Sequence, residues 1–334
     1  MKRKGFITFF VLIISAICLP IVLFAGETLF VQSKLNSNRV NMVQGEFNIE
    51  TEINSFIYDE SGLSDSIINI IRRFPNDFLK KESVYNIPIS SESDLFENIS
   101  GELSFENKRD DRPKFNLKIL GDYKDIQINK NIVGGICNSE VDDCDNGLVY
   151  LQNRSEDYIK NIEELLSLIP DSIDTDFLPS DHSLIRTSTY KNIRINAKPF
   201  GPSKLYFDNK DYNYVNIVNN KMILLVKTDG FNKNNILIDC SDQGSVVLNG
   251  IIYIENGDLT FKGKCNFQGL VLIKDGEIKR EGEELSSILG KVVLNSFKDP
   301  RESVQINYDS TMYLKYAKYL PPLMEPEIIK IGIN

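Results

Sequence analysis

A charge-free apolar run near the start of the chain constrains the fold more than any other feature. From Phe6 to Ala25 there are 20 residues without a charged side chain. At about 1.5 Å of helical rise per residue, this run is roughly 30 Å long, which matches the hydrocarbon core of a bilayer. The run therefore predicts a transmembrane helix through residues 6–25.

The flanks of the run predict its orientation. Residues 2–4 are basic, whereas Glu27 follows the run. Because positive charge favours the cytoplasmic side, we expect a cytoplasmic N terminus and an extracellular C-terminal part. A cleaved secretory signal is the less favoured alternative, since the run is long for one and Leu23 precedes Ala25 where a small residue is preferred.

Helical periodicity continues beyond the run. No proline occurs between Glu27 and Tyr58, so nothing interrupts the pattern. A single long helix, half in lipid and half outside, is the prediction, and a second short helix should end near Pro75. The apolar positions at helical spacing are Val40, Val43, Phe47, Ile49, Ile53, Phe56 and Ile57.

The start of the chain also carries a family resemblance. A short basic leader ending in Gly5, followed by Phe6 and an apolar helix, resembles the class III signal of type IV pilins, and more specifically PilX-like minor pilins. The resemblance implies that a prepilin peptidase cuts between Gly5 and Phe6. Major pilins of that family carry Glu at the fifth mature position, which is Phe10 here. This departure is typical of minor subunits that begin or cap a filament.

The middle of the chain predicts mixed structure. Alternating apolar and polar residues over 85–135 indicate a β-meander or a hairpin. Ser155 is a good N-cap for a helix over 155–169, which Pro170 should end. The run "KMILLVKT", residues 221–228, reads as a buried strand.

An internal repeat follows. Gly250, Gly269 and Gly290 open similar segments at periods of 19 and 21 residues. A fixed period with glycine at the corners predicts stacked rungs of a short β-solenoid, with antiparallel hairpins at the "NG" and "DG" turns as the alternative. The predicted inward residues are Ile252, Ile254, Val271, Ile273, Val292 and Leu294, with Val246, Leu248, Leu259, Phe261, Cys265 and Phe267 on other sides.

Outward positions of the first strand in each rung are apolar as well, so this side needs a cover. They are Ile251, Tyr253, Leu270, Leu272 and Val293. We expect the exported half of the long helix to supply that cover.

Four cysteines follow the apolar run, and export makes two disulfides possible. Spacing favours Cys137–Cys144 and Cys240–Cys265 among the three pairings. Free thiols and a metal site are the alternatives, although neither pair has the spacing of a zinc knuckle. The acidic stretch 137–147 contains the first two of these cysteines. Its residues do not fit a calcium-binding register, and we interpret it as a surface loop.

The sequence contains few residues in patterns that would indicate an active site. His182 stands in a Pro- and Ser-rich stretch without a nucleophile motif and reads as a surface residue, and Asp258 and Glu277 occupy turn corners. No phosphate- or dinucleotide-binding motif occurs, and a net charge of −9 without a basic block argues against nucleic acid. We therefore expect no enzyme activity, no catalytic residue, no cofactor and no metal.

These observations predict an α+β chain with a long N-terminal helix, a β-rich ectodomain and a terminal solenoid. The expected function is that of a structural minor or tip subunit of a type IV pilus-like, secretion or competence apparatus, with other pilin-like subunits and the inner assembly machinery as partners. A single-pass, surface-anchored binding protein outside any filament is the alternative. The predicted segments are 1–5 (leader), 6–25 (membrane helix), 26–76 (stalk and second helix), 77–230 (mixed region), 231–300 (solenoid) and 301–334 (tail with a strand).

Overall fold

A computed structural model describes residues 3–333 apart from 59–61, 74–82, 90–95, 97, 107–111, 125, 143–146, 153, 174, 176–177, 209, 211, 229–232 and 242–243. The described residues form a mixed α+β structure with a long N-terminal helix and a β-rich remainder. The predicted class is therefore confirmed at this level.

The N-terminal helix, α1 (Arg3–Tyr58), runs without interruption for 56 residues. Pro20 lies inside it and does not end it. The prediction of one long helix is confirmed. A short amphipathic helix, α2 (Leu63–Arg73), follows and turns its apolar side inward through Leu63, Ile67 and Ile71.

The first sheet is antiparallel and contains the predicted meander. Its strands are β1 (Val84–Pro88), β2 (Asn98–Glu106), β3 (Lys114–Tyr123), β4 (Ile126–Gly135) and β18 (Glu327–Ile333). The strand order is β1-β2-β3-β4-β18, so the last described strand pairs with β4. Every second residue of β3 is buried, as expected for a sheet with one face on a core.

A short helix, a two-residue strand and a longer helix follow β4 along the chain. They are α3 (Ser139–Asp142), β5 (Leu148–Val149) and α4 (Glu156–Ser172). Ser155 caps α4 by accepting a hydrogen bond from the Tyr158 backbone amide, as predicted. The prediction that Pro170 ends the helix is wrong, because α4 continues through it to Ser172 and buries Pro170 beside Ile169.

Two further sheets consist mainly of parallel strands. The strands are β6 (Ser183–Thr187), β7 (Asn192–Asn196), β8 (Ser203–Phe207), β9 (Tyr214–Ile217), β10 (Lys221–Val226), β11 (Asn234–Asp239), β12 (Val246–Ile254), β13 (Gly257–Lys262), β14 (Cys265–Ile273), β15 (Ile278–Glu281), β16 (Ser286–Leu294) and β17 (Val304–Tyr308). The second sheet has the order β17-β16-β14-β12-β10-β6, and β5 also pairs in parallel with β16. The third sheet has the order β15-β13-β11-β7-β8-β9, in which β8 is antiparallel to both of its neighbours.

From β10 to β16 the chain alternates strictly between these two sheets. The repeat falls in register, because Gly250 pairs with Gly269 and Gly269 with Gly290 in parallel ladders. The antiparallel hairpin alternative is therefore wrong. Parallel pairing also begins upstream of residue 231, since β6 pairs with β10 and β7 with β11.

The three repeat glycines bend the long strands. Their φ angles of 144°, 145° and 142° lie in a region that other residues rarely adopt. A Cβ on Gly269 would also overlap the carbonyl oxygen of Gly250 on the neighbouring strand. Close backbone stacking at this corner thus requires glycine, which explains why the repeat is marked by it.

One core fills the space between the second and third sheets. The six residues predicted to point inward, such as Ile252 and Val271, belong to it, and so do the six predicted on other sides of the rungs, such as Phe267. Cys240 and Cys265 lie in this core and form a disulfide, with an S–S distance of 2.08 Å and a Cα–Cα distance of 5.6 Å. The predicted pairing of these two cysteines is confirmed.

A second core lies on the outward side of β10, β12, β14 and β16. It contains the predicted outward residues, among them Tyr253 and Leu272. The cover is not the long helix, as the sequence suggested, but the short helix α5 (Ser310–Ala317), which contacts β14 and β16 and buries Tyr313 and Tyr316. The end of α1 packs instead against β3 and β4 of the first sheet.

Candidate functional site

We call residues 3–44 of α1 the stem and the described residues from Gly45 onward the head; the head does not cover residues 9–44. The stem belongs to α1, which among the described helices is the only one long and apolar enough to span a membrane. Gly5 and Phe6, the predicted cleavage junction, lie within its first turns, and Phe10 is 55% exposed. Apart from half-buried Asn41, every residue from Phe9 to Gln44 is exposed.

This exposure continues well past the length that a bilayer needs. The predicted membrane segment ends at residue 25, and residues 26–44 extend the free helix by about 28 Å at a rise of 1.5 Å per residue. Leu29, Phe30 and Leu35 in this extension are each more than 60% exposed. An anchor alone does not account for large apolar side chains at these positions.

Some of the exposed apolar side chains of this part of α1 form a stripe along one side of the helix, whereas Val31, Leu35 and Met42 project from roughly the opposite side. Leu29, Val40, Val43 and Phe47 fall within about 60° of one another when 3.6 residues make one turn. Their exposed fractions are 67%, 54%, 45% and 66%. We call these four residues the outer stripe.

The outer stripe faces away from the chain's own head. The head buries Gly45, Ile49, Ile53 and Phe56, which project from roughly the opposite side of the same helix. No described part of the head can therefore fold over the outer stripe while this contact holds.

Two contacts fix the end of α1 on the first sheet. A Cβ on Gly45 would overlap the side chain of Ile128 in β4, so glycine allows the helix to approach the sheet closely. Further along, the Lys130 ammonium, whose side chain is 1% exposed, donates to Glu50 Oε1 at 2.8 Å. The direction of the stem is thus set by specific packing and one ion pair.

His182 is not a surface residue, contrary to the sequence prediction. Its side chain is 4% exposed, and Nδ1 lies 2.9 Å from Asp181 Oδ1. Asp181 also pairs with Lys221, and hydrogen bonds from Lys221 and then His182 lower the pKa of Asp181 to about 2. Burial lowers the pKa of His182, which outweighs the opposite effect of Asp181.

The His182 cluster lacks the geometry of a catalytic dyad. The Nε2 atom is buried and has no hydrogen-bond partner among the described residues, so no nucleophile faces it. The ring packs edge-on against Tyr316 of α5 at 6.0 Å between centroids. This arrangement locks the start of β6 against the covering helix.

Each of the two acids at the repeat corners, Asp258 and Glu277, forms an ion pair with lysine. Asp258 accepts from Lys279 at 2.6 Å and from the Glu277 backbone amide at 3.1 Å, and Lys233 lies 2.9 Å away. Burial raises the pKa of Asp258, but the lysine hydrogen bonds outweigh it and the pKa is lowered overall. Glu277 pairs with Lys298 at 3.0 Å. Turn and ladder contacts thus account for both acids.

Lys291 is a buried residue that the repeat pattern did not single out. It occupies an outward position of β16 where the equivalent residue of β14 is Leu270. Its side chain is fully buried, and the ammonium lies 4.8 Å from the ring centroid of Tyr313 and 5.5 Å from that of Tyr308. Aromatic faces of α5 and β17 thus stabilise this charge.

Other predicted site residues give no further centre. Cys137 is buried, but Cys144 and most of the acidic loop lie outside the described residues, so the Cys137–Cys144 pair stays a prediction. Within the described ranges, no group of three or more His, Cys, Asp or Glu side chains could hold a metal ion. No protein-family model, curated protein or solved structure matches the chain.

Proposed function

We propose that the chain is a membrane-anchored structural subunit, similar to PilX-like minor pilins, whose stem assembles with the stems of other subunits. The observation that carries this proposal is the outer stripe. Four large apolar side chains stand exposed outside the predicted membrane segment, on the side of the helix that the head leaves open. Burying each one fully against a neighbour contributes about 1.5–3 kcal/mol.

The head supports the same proposal. Its strands alternate between two parallel sheets around one apolar core, with stacked glycine corners, and we interpret this arrangement as a short β-solenoid. The Cys240–Cys265 disulfide is consistent with an extracellular head, because such bonds persist in oxidising compartments. A head of this kind on a protruding helix is what a pilin-like subunit requires.

Phe10 restricts the position that we propose for this subunit in an assembly. A carboxylate at this position would be costly in lipid and would need a partner amine on a neighbouring subunit. With Phe10 the chain offers no such carboxylate, so we place it at the start or tip of an assembly instead of along its length. Other pilin-like subunits, the inner assembly machinery and a prepilin peptidase are the partners that this role implies.

The experiment that tests the proposal is mass spectrometry of the mature N terminus. Cleavage between Gly5 and Phe6, with methylation of the new Phe6 amine, is the expected result. Gly5→Leu should abolish the cut, whereas the matched control Gly26→Leu should leave it unchanged. An intact N terminus or a cut after Ala25 would contradict the proposal, and an intact one would favour a single-pass surface-binding protein.

A further inference from the structure

One outward face of the repeat carries no charged side chain. It is formed by the first halves of β12, β14 and β16 together with β17, on the far side of the glycine corner from α5. The parallel register sets its outward residues in two rows across four strands. We call this surface the amide face; its rows are Val247, Asn266, Ser287, Gln305 and Asn249, Gln268, Leu289, Asn307.

The amide face is open to solvent. Val247, Gln305 and Asn307 are exposed, and the other five residues are half-buried by their neighbours in the rows. None of the eight residues is charged, although a quarter of the chain is. The next residue along the second row is Lys221 of β10, which is in register with Asn249 and pairs with Asp181. On the outward side of the third sheet, by contrast, equivalent rungs carry Lys262 paired with Glu281.

Only some of the polar side chains on the amide face form hydrogen bonds with other described residues. Asn266 donates to Ser245 at 2.6 Å and accepts from Ser287 at 2.7 Å. Asn249 and Gln268 stand opposite each other in register, yet neither side chain makes a hydrogen bond with another described residue. Their amide donors and acceptors are therefore available to a ligand at the centre of the face.

We propose that the amide face binds an extended, uncharged, β-1,4-linked polysaccharide. Neighbouring strands are about 4.8 Å apart, and each sugar of such a polymer advances by a closely similar distance. Amides can donate to and accept from sugar hydroxyls, while Val247 and Leu289 offer apolar contact to the C–H faces of the rings. Because successive sugars of a β-1,4-linked chain face opposite ways, a polymer lying across the strands can repeat the same contacts on every second strand.

The lack of charge on the eight positions favours an uncharged ligand. A polyanion such as nucleic acid or an acidic glycan would need lysine or arginine on the face, and none of the eight positions supplies one. A basic peptide would need carboxylates, which the eight positions also lack. The inference uses only the head, so it does not depend on assembly through the stem.

The test is isothermal titration of the full chain in detergent micelles with chitohexaose and cellohexaose, and with an α-1,6-linked glucan oligosaccharide as the unmatched probe. The wild type should bind at least one β-1,4-linked hexaose and not the α-1,6-linked one. The double variant N249A/Q268A should bind about tenfold more weakly or worse, whereas the control Asn216→Ala, on the outward side of β9, should bind as the wild type does.

A nearly isosteric second variant, N249L/Q268M, guards against loss of folding, and its melting temperature should be measured beside its affinity. It should keep the fold and lose binding, because leucine and methionine side chains cannot replace the amide donors and acceptors. If the wild type binds neither hexaose, the amides serve only to stack the strands and the proposal fails. Unchanged affinity in both double variants would overturn it equally.

Discussion

Lys130 Nζ donates to Glu50 Oε1 at 2.8 Å, and this pair joins the second strand of a hairpin to the last turns of the long helix. The lysine side chain is 1% exposed and the glutamate side chain 47%. A buried ammonium that loses its partner carries an uncompensated charge, so the pair is asymmetric in its consequences.

Removing the exposed member of this pair should cost more than removing both. We expect Glu50→Ala to lower the free energy of unfolding by about 1–3 kcal/mol, because the buried Lys130 side chain loses its carboxylate partner. The double variant E50A/K130M should recover part of this loss. Chemical denaturation of the full chain in detergent measures both, and equal losses would show that the pair does not act as a unit.

The glycine corner gives a second prediction. Gly269→Ala places a Cβ against the Gly250 carbonyl and strains a φ of 145°, so we expect a loss of about 3 kcal/mol or more. Gly135→Ala is the matched control, since a Cβ there meets nothing within 4 Å. Thermal unfolding followed by circular dichroism distinguishes them, and equal melting temperatures would contradict the stacked corner.

The disulfide gives a third prediction. Cys240 and Cys265 are 25 residues apart in sequence, and a cross-link across a loop of that size contributes about 2–4 kcal/mol. The double variant C240S/C265S should lose this amount, whereas Cys18→Ser on the exposed stem should not change the stability of the head. An unchanged unfolding midpoint after reduction would show that the bond does not stabilise the fold.

Acid should weaken the contact between β6 and α5. The pKa of His182 is lowered in the folded state, so the unfolded chain binds the proton more tightly, and stability falls as pH drops below about 6.5. The pKa of Asp181 is lowered to about 2, so its contribution is lost as pH falls below about 4. Lys221 and Lys315 face the same cluster, and their charges lower the pKa of His182 further.

His182→Gln should remove the first of these two effects. Its melting temperature should fall less than that of the wild type between pH 7 and pH 5, while the loss below pH 4 remains. Parallel pH profiles for the two proteins over the upper range would contradict the role of His182.

Local patterns were enough to predict the long helix, the meander and the repeat. Gly250, Gly269 and Gly290 were informative because only glycine fits a stacked corner, so sequence spacing reported spatial register. The apolar outward side of the repeat was equally visible. What covers it was not, because the eight-residue helix α5 is too short to stand out by periodicity.

Burial of individual polar residues was also beyond the sequence. His182 occupies a Pro- and Ser-rich stretch that reads as a surface loop, and its burial depends on Tyr316, which is far away in the chain. Lys291 is similar, since two tyrosines from later elements make its position tolerable. The outer stripe could have been found by following helical spacing from Leu29 to Phe47 and comparing it with the residues that face the head.

Site-specific photo-cross-linking on the stem, in membranes of cells that make the protein, tests the central claim most directly. A photoreactive side chain at Val43, in the outer stripe, should give adducts with the stem of another subunit, whereas one at Lys34, on a polar side of the same helix, should give far fewer. A Val43 probe that forms no adduct with any other subunit, in a protein that is folded and membrane-bound, would contradict assembly through the stem.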